Sequence, residues 1–243
     1  MERLAESAAH SATHRARARV SRAACLLFAA LVVTSCSGCQ IVIGVLQIFE
    51  GFPKTHNDFY VRTHHRSLSE KGKSVIVLVA SPPSAREEEP SLDLDVMAEV
   101  SRQLLVNKVN VVESQKIAKW IDDNGLIVSQ TELEPIGRHF DADFIVLFTF
   151  DDFGYLENNS PGLYRGHAHG KTTVAEMVDD KVTPGTKRVK IIYNNPFTAK
   201  YPTIRPISAD QEGPDVFKRK FMGRLSEQLT RTFVDYRPEE EIQ

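Results

Sequence analysis

Two histidines are the residues whose types and spacing could most readily support chemistry. His167 and His169 stand two residues apart in the segment Tyr-Arg-Gly-His-Ala-His-Gly. Because alternate residues of a strand project from the same face, a strand here would place both imidazoles side by side, where they could chelate zinc or copper. A catalytic zinc needs three protein ligands and an open position. The third ligand stays open among four candidates, which are Glu176, Asp179, His64 and His65.

Two carboxylates, Asp151 and Asp152, follow the most strand-like segment of the chain, residues 143–150. Paired acids at the end of a strand could bind a cation, but no second acidic cluster lies near them in sequence, which favours a solvated strand end. The chain also has no Gly-x-Ser-x-Gly, no Walker-type phosphate loop and no His-Glu-x-x-His. We therefore expect a protein that is not an enzyme. The alternative is a metal-binding protein or metal-dependent hydrolase centred on His167 and His169.

The composition is that of an ordinary globular protein. The chain has 243 residues, of which 42% are apolar and 26% are charged, and a net charge of -2. This balance argues against a nucleic-acid-binding protein that neutralises phosphates with clustered Lys and Arg. All three cysteines, Cys25, Cys36 and Cys39, lie near the N-terminus. Cysteine chemistry in the folded domain is therefore excluded.

The N-terminus has the order of a secretory signal peptide. Arginines precede an apolar run at residues 23–33, and small residues follow it. An 11-residue run is too short to cross a bilayer, which needs about 20 residues. Residues 33–36, Val-Thr-Ser-Cys, resemble the lipobox of bacterial lipoproteins. The resemblance implies cleavage after residue 35 and a lipidated Cys36, with Cys39 as the alternative site.

The resemblance also implies a place in the cell. Acyl chains on Cys36 would hold the protein at a membrane of the cell envelope, facing the periplasm, because each buried CH₂ contributes about 0.8 kcal/mol. Ser37 follows that cysteine, and a residue other than aspartate there resembles an outer-membrane address rather than an inner-membrane one. A single-pass transmembrane anchor at residues 23–49 is the alternative, since the combined apolar stretch is long enough to span a bilayer.

Behind this N-terminus, the hydrophobic pattern predicts a mixed α/β fold. The element order is β-α-β-α-α-β-β-β-α, with helices packed on one sheet. The predicted strands are residues 74–80, 109–112, 143–150, 164–178 and 187–193; the predicted helices are residues 95–106, one beginning near Ser114, one running from a Thr131–Glu134 capping box to about Phe140, and one carrying Phe217, Phe221, Leu225 and Leu229. Residues 86–90 and 194–213 are predicted as loops.

The domain boundaries follow from these elements. We expect a signal peptide at residues 1–35, a lipidated N-terminus and tether at residues 36–72, an α/β module at residues 73–236 and a disordered tail at residues 237–243. The module is the part that must position the two histidines.

One sequence segment within the module resembles a segment of a known group of envelope proteins. Residues 136–146, Ile-Gly-Arg-His-Phe-Asp-Ala-Asp-Phe-Ile-Val, are similar to the helix-to-strand phrase of the curli-secretion lipoprotein, the penicillin-binding-protein activator lipoproteins and the N-terminal domain of the Tol β-propeller protein. The resemblance implies an anticodon-binding-like fold. It departs at Asp141, where the group has glycine.

The resemblance and the export signal together predict a docking or assembly module for other periplasmic or outer-membrane components. The expected partners are the membrane, through the lipid anchor, and an envelope protein or a second copy of this chain, with no nucleic acid. Binding would use a sheet edge or the loop at residues 151–163. No cofactor is expected, apart from the possible zinc or copper at His167 and His169.

Overall fold

The computed structural model describes residues 54–125, 132–158, 160–181, 183 and 185–236. The predicted signal peptide, the lipidation candidates Cys36 and Cys39, the alternative anchor at residues 23–49 and the tail at residues 237–243 lie outside these residues. Among the helices that the structure describes, none is long and apolar enough to cross a membrane.

Six helices and five strands follow one another within the described ranges. They are α1 (Asp58–Arg62), β1 (Val75–Ala80), α2 (Pro83–Glu88), α3 (Leu92–Val106), α4 (Ser114–Asn124), α5 (Leu133–His139), β2 (Phe144–Leu156), β3 (Leu163–Asp179), β4 (Lys187–Tyr201), β5 (Ile207–Ser208) and α6 (Pro214–Arg231).

The strands form one mixed sheet in the order β1-β2-β3-β4, and β5 pairs with the start of β3. β1 is parallel to β2, whereas β2, β3 and β4 are antiparallel neighbours. All six residues of β1 are buried, as a continuous run of β-branched and apolar residues predicts. The mixed α/β fold class, with helices packed against a mixed sheet, is confirmed.

Helices cover both faces of the sheet. On one face, Gly166 of β3 lies directly under the ring of Phe221 in α6. On the other face, Gly137 of α5 lies against Ile145 and Met177. Residues 166 and 177 differ in parity on one uninterrupted strand, so the two helices lie on opposite sides. The aromatic and leucine stripe of α6 is buried in the core, as its four-residue spacing predicts.

Two predicted loops are regular structure instead. Residues 83–88 form α2, because extended Pro82 leads into Pro83 at the first helical position, where its missing N–H costs nothing. Residues 194–201 continue β4, although Asn and Pro there are typical of a loop. Packing against β3 and α6 overrides that local preference.

One predicted strand does not form in the described part of the chain. Residues 109–112 make only a single parallel bridge, between Val75 and Val111. Two hydrogen bonds form it, from Val75 N–H to the Asn110 carbonyl and from Val112 N–H to the Val75 carbonyl, both 2.9 Å. The segment is short, because α3 ends at Val106 and α4 begins at Ser114.

The folded domain reaches further toward the N-terminus than the predicted start at Lys73. Residues 54–72, expected to be tether, contribute the fully buried Phe59 and Leu68 to the core. Thr55 also forms an antiparallel bridge with Tyr236. The described ends of the domain are therefore joined to each other.

The long strands extend past β1. Ala80, the last residue of β1, pairs with Thr149, but β2 continues to Leu156. We call the part beyond this point the sheet tip. It comprises residues 150–156 of β2, 163–170 of β3 and 197–201 of β4, joined by the pairs Phe150–Gly170 and Gly170–Phe197.

Candidate functional site

The two histidines and one of the two aspartates meet on the sheet tip. β3 places His167 and His169 on the same face, as their spacing predicts. Asp151 and Asp152 lie inside β2 rather than after its end, which corrects the predicted strand boundary. A register shift between Phe150 and Asp152 leaves Asp151 without a cross-strand partner and pairs Asp152 with His169.

The shared contact is one carboxylate oxygen. The Oδ2 atom of Asp152 lies 3.3 Å from Nε2 of His167 and 3.6 Å from Nδ1 of His169. The side chains are 50%, 32% and 53% exposed, respectively. Water therefore screens the attraction, and an ion pair so exposed contributes about 0–1 kcal/mol.

His167 has two further neighbours. Its ring covers Gly154 on the adjacent strand, where a Cβ atom would come within 2.8 Å of Cε1. Its Nδ1 atom lies 3.4 Å from the carbonyl oxygen of Arg165. The ring is thus held against the strand pair, while the His169 ring projects into solvent.

None of the four candidate third ligands joins this cluster. Glu176 forms a salt bridge with Arg66, and its even position on β3 places it on the opposite face. Asp179 is exposed at the far end of β3. His64 and His65 lie between α1 and β1, where His65 packs on the ring of Tyr60.

A metal site is not preformed in the described part of the chain. There, no three His, Cys, Asp or Glu side chains are grouped so that they could hold a metal ion. As placed, Asp152 and the two histidines form an exposed polar cluster on the sheet tip.

An open groove borders the cluster. Its volume is about 400 Å³, and it lies along the outer part of β2. The residues that line it include Glu88 of α2, residues 153–158, Pro161 and His167. Leu156, at the end of β2, is 44% exposed there. The sheet tip therefore combines acidic groups, imidazoles and one apolar side chain on an open surface.

A second cluster, under the sheet tip, has no signal in the sequence pattern. Lys218 of α6 donates to Oε2 of Glu89 at 2.7 Å, and the Tyr155 hydroxyl donates to the same oxygen at 3.4 Å. The Lys218 ammonium also lies 4.8 Å from the centre of the Tyr155 ring. Burial and the charge of Glu89 raise the pKa of Tyr155 far above its usual range, so this hydroxyl stays a donor. The cluster connects Tyr155 of the sheet tip to Lys218 of α6 through Glu89.

The β4 edge of the sheet is closed by side chains from two helices. Arg138 of α5 donates from Nε to the Lys187 carbonyl at 2.7 Å, and Gln228 of α6 donates to the Thr198 carbonyl at 2.6 Å. Pro196 has the same parity as Thr198, so the N–H that it lacks would point away from β3. Proline and occupied backbone groups both discourage strand addition at this edge.

The similarity of this chain to known proteins is low. No protein-family model matches the chain, and no curated protein is significantly similar to it. Among solved structures, a PelC dodecamer from Paraburkholderia phytofirmans is 9% identical, with 75% of this chain and 96% of that chain covered at a TM-score of 0.39. Lipoprotein GNA1162 from Neisseria meningitidis is 10% identical, with coverages of 64% and 96% at a TM-score of 0.39. The LpoB C-terminal domain from Salmonella enterica is 13% identical, with coverages of 58% and 98% at a TM-score of 0.29. Such low identities and TM-scores do not assign a function.

Proposed function

We propose that this protein is a non-enzymatic, lipid-anchored envelope protein whose α/β module docks other envelope components. The lipid would be carried by Cys36 in the mature chain. The module would face the periplasm, with the outer membrane as its expected location.

The observation that supports docking is the open surface of the sheet tip. α5 covers the same face only at the opposite end of the sheet, against Ile145 and Met177. At the tip, His169 and the neighbouring Lys171 are exposed on that face. Below them, the aromatic rings of Phe153 and Phe221 pack with centroids 5.7 Å apart. A polar surface on a firmly packed base suits a partner that binds without rearranging the domain.

Crosslinking in the native envelope tests docking. A photoreactive amino acid at Leu156 should give a protein adduct, because this side chain is exposed on the sheet tip. The matched control is Val106, which is 71% exposed at the C-terminal end of α3, where no docking is proposed. Equal adducts from both positions, or none from Leu156, would contradict docking at the tip.

Metabolic labelling tests the anchor. A palmitate analogue should label the wild-type chain, and Cys36→Ala should lose the label. Loss of label only in Cys39→Ala would move the site to the alternative cysteine. A chain that keeps its leader mass and takes up no label would instead support the single-pass anchor at residues 23–49.

Metal binding at His167 and His169 is the second candidate function, and the position of Asp152 beside both rings favours it, although the three side chains as placed do not form a metal site. Two imidazoles and a carboxylate are ligands that zinc and copper accept. Under the docking proposal, we expect the purified chain to contain no stoichiometric zinc or copper by mass spectrometry. Its melting temperature should also not change on metal addition. One equivalent of metal that is lost in His169→Ala would replace docking by metal binding.

A further inference from the structure

The two sides of the sheet tip differ in how their backbone is covered. On the β4 side, Arg138, Gln228 and Pro196 close the edge. On the other side, β1 ends opposite Thr149, and in the described residues no strand pairs with the far side of β2 beyond that point. We call residues 151–156 the β2 edge.

The protection of the β2 edge against strand addition is limited to two carboxylates, Asp151 and Asp152, and to the register shifts of β2 against β3. The edge contains no proline and no lysine, and its sequence is Asp-Asp-Phe-Gly-Tyr-Leu. The groove of about 400 Å³ runs along it, between Glu88 and residues 153–158. Gly154 lies in the middle of the edge, where the ring of His167 takes the space that a side chain would fill.

We propose that the β2 edge binds an extended, positively charged segment of a partner protein as an additional strand, in line with β1. This inference rests on the proposed docking function and names its surface, its binding mode and the chemistry of its partner. Main-chain hydrogen bonds would supply affinity, and side-chain contacts would supply specificity.

The charge around the β2 edge determines which sign of charge the partner segment should carry. The exposed acids beside it are Glu87, Glu88 and Asp151, and half-exposed Asp152 faces His167 and His169. A further acid, Glu157, is already paired with Arg165 at 2.7 Å. Arg86, at the C-terminal end of α2, is the cation of this segment. Lysine or arginine side chains on an added strand would therefore meet an excess of carboxylates.

The geometry also favours a strand over a helix as the partner. An added strand would lie about 4.8 Å from β2 and use backbone groups along one side only. The aromatic side chains of Phe153 and Tyr155 point into the core and pack on Phe221. They are not available to form an apolar groove for a helix. Leu156 alone offers an apolar contact, at the end of the edge.

The test uses the purified full-length chain and a fluorescent seven-residue peptide, Thr-Lys-Val-Lys-Val-Lys-Thr, with blocked ends. Fluorescence anisotropy should show saturable binding, and a peptide with glutamate in place of lysine should bind at least tenfold more weakly. Two N-methylated peptides, modified at the lysines or at the valines, block opposite backbone sides of the strand. One of them should lose at least tenfold in affinity while the other keeps it, because only one side of an added strand pairs with β2.

Matched variants locate the binding site. Asp151→Lys should weaken binding of the lysine peptide at least fivefold, whereas Asp179→Lys, at the opposite end of β3, should leave it unchanged. Thermal unfolding monitored by circular dichroism confirms that both variants fold. Absence of binding, or equal effects of both N-methylated peptides, overturns strand addition at the β2 edge. Adducts from Leu156 in the native envelope would then still support docking by another mode, so the two proposals fail separately.

Discussion

Asp93 is the described carboxylate whose surroundings least suit its charge. It is the second residue of α3, and its Oδ1 atom is buried with no hydrogen-bond partner among the described residues. Burial raises the pKa of Asp93, and nearby Ser81 and Arg86 offset this effect only in part. A raised pKa in the folded state means that folding favours the protonated acid. The charge therefore lowers stability above that pKa.

We expect Asp93→Asn to increase the free energy of unfolding at pH 7, by roughly 0.5–1 kcal/mol. The advantage should vanish as pH falls below the ordinary aspartate pKa of about 3.9, because the wild-type side chain is then neutral in both states. Urea unfolding at pH 7 and pH 3.5 measures both points. Asp95→Asn is the control, since Asp95 is exposed in the same helical turn and should gain nothing. A less stable Asp93→Asn at pH 7 would contradict the argument.

At the scale of elements, two glycines differ in what restricts their substitution. Neighbouring side chains restrict one of them, whereas the other has open space around it. A Cβ atom at Gly166 in β3 would overlap the ring of Phe221, whereas one at Gly223 in α6 would meet no atom within 4 Å. We expect Gly166→Ala to destabilise the protein by about 1–3 kcal/mol through overpacking. Gly223→Ala should stabilise it by about 0.8–1 kcal/mol through helix propensity. Urea unfolding of both variants measures this, and a tolerated Gly166→Ala would mean that α6 shifts easily on the sheet.

The closed β4 edge gives a second prediction at this scale. Arg138→Ala combined with Gln228→Ala frees the Lys187 and Thr198 carbonyls, so β4 should become able to pair with another chain. Analytical ultracentrifugation in detergent should show more self-association than for the wild type. The control is Arg102→Ala with Gln103→Ala, because in the described part of the chain these α3 side chains bond to Glu99 of their own helix and not to the sheet edge. An unchanged association state would show that the two caps do not protect the edge.

At the scale of the whole molecule, the described ends are fastened together. Thr55 N–H donates to the Tyr236 carbonyl at 2.8 Å, and Asp235 accepts from the backbone and side-chain nitrogens of Asn57 at 3.0 and 2.8 Å. This clasp fixes the chain at residues 55–57, inside the stretch predicted to be tether. A pull on the tether would therefore act on β1 only after the clasp opens.

Acid should open this clasp. Burial alone would raise the pKa of Asp235, but hydrogen bonds from Asn57 and His56 outweigh it and lower the pKa below its ordinary value. A lowered pKa stabilises the fold above the unfolded value of about 3.9, and this contribution is lost as pH falls through the folded pKa. We expect Asp235→Ala to lower the free energy of unfolding by about 1–2 kcal/mol at pH 7. It should cost nothing once the pH lies below both pKa values.

Hydrogen exchange measures the effect of Asp235→Ala locally. The amides of Asn57 and Tyr236 should exchange faster in the variant, while those of β1 should not change. Asp210→Ala, in an exposed turn, is the control. Unchanged exchange at Asn57 would show that the backbone bridge holds the ends without Asp235.

The sequence by itself determined the kinds of the longer elements and which of their faces are buried. The run at residues 74–80 and the stripe of Phe217, Phe221, Leu225 and Leu229 identify a buried strand and a core helix, because burial repeats with the local backbone period. The shared face of His167 and His169 follows from the same rule. The boundaries do not follow from this rule, since Asn and Pro in residues 194–201 favour a loop when considered alone, yet these residues continue β4.

Only the tertiary structure decided which groups meet. Asp152 reaches both histidines because one unpaired residue, Asp151, shifts the register of two strands, and no local pattern encodes that shift. Likewise, the β2 edge is open because β1 stops opposite Thr149, and the β4 edge is closed because two helices reach it. Strand register, strand length and helix position all depend on contacts between distant segments. The sequence therefore placed the candidate residues on their elements, and the fold determined their neighbours.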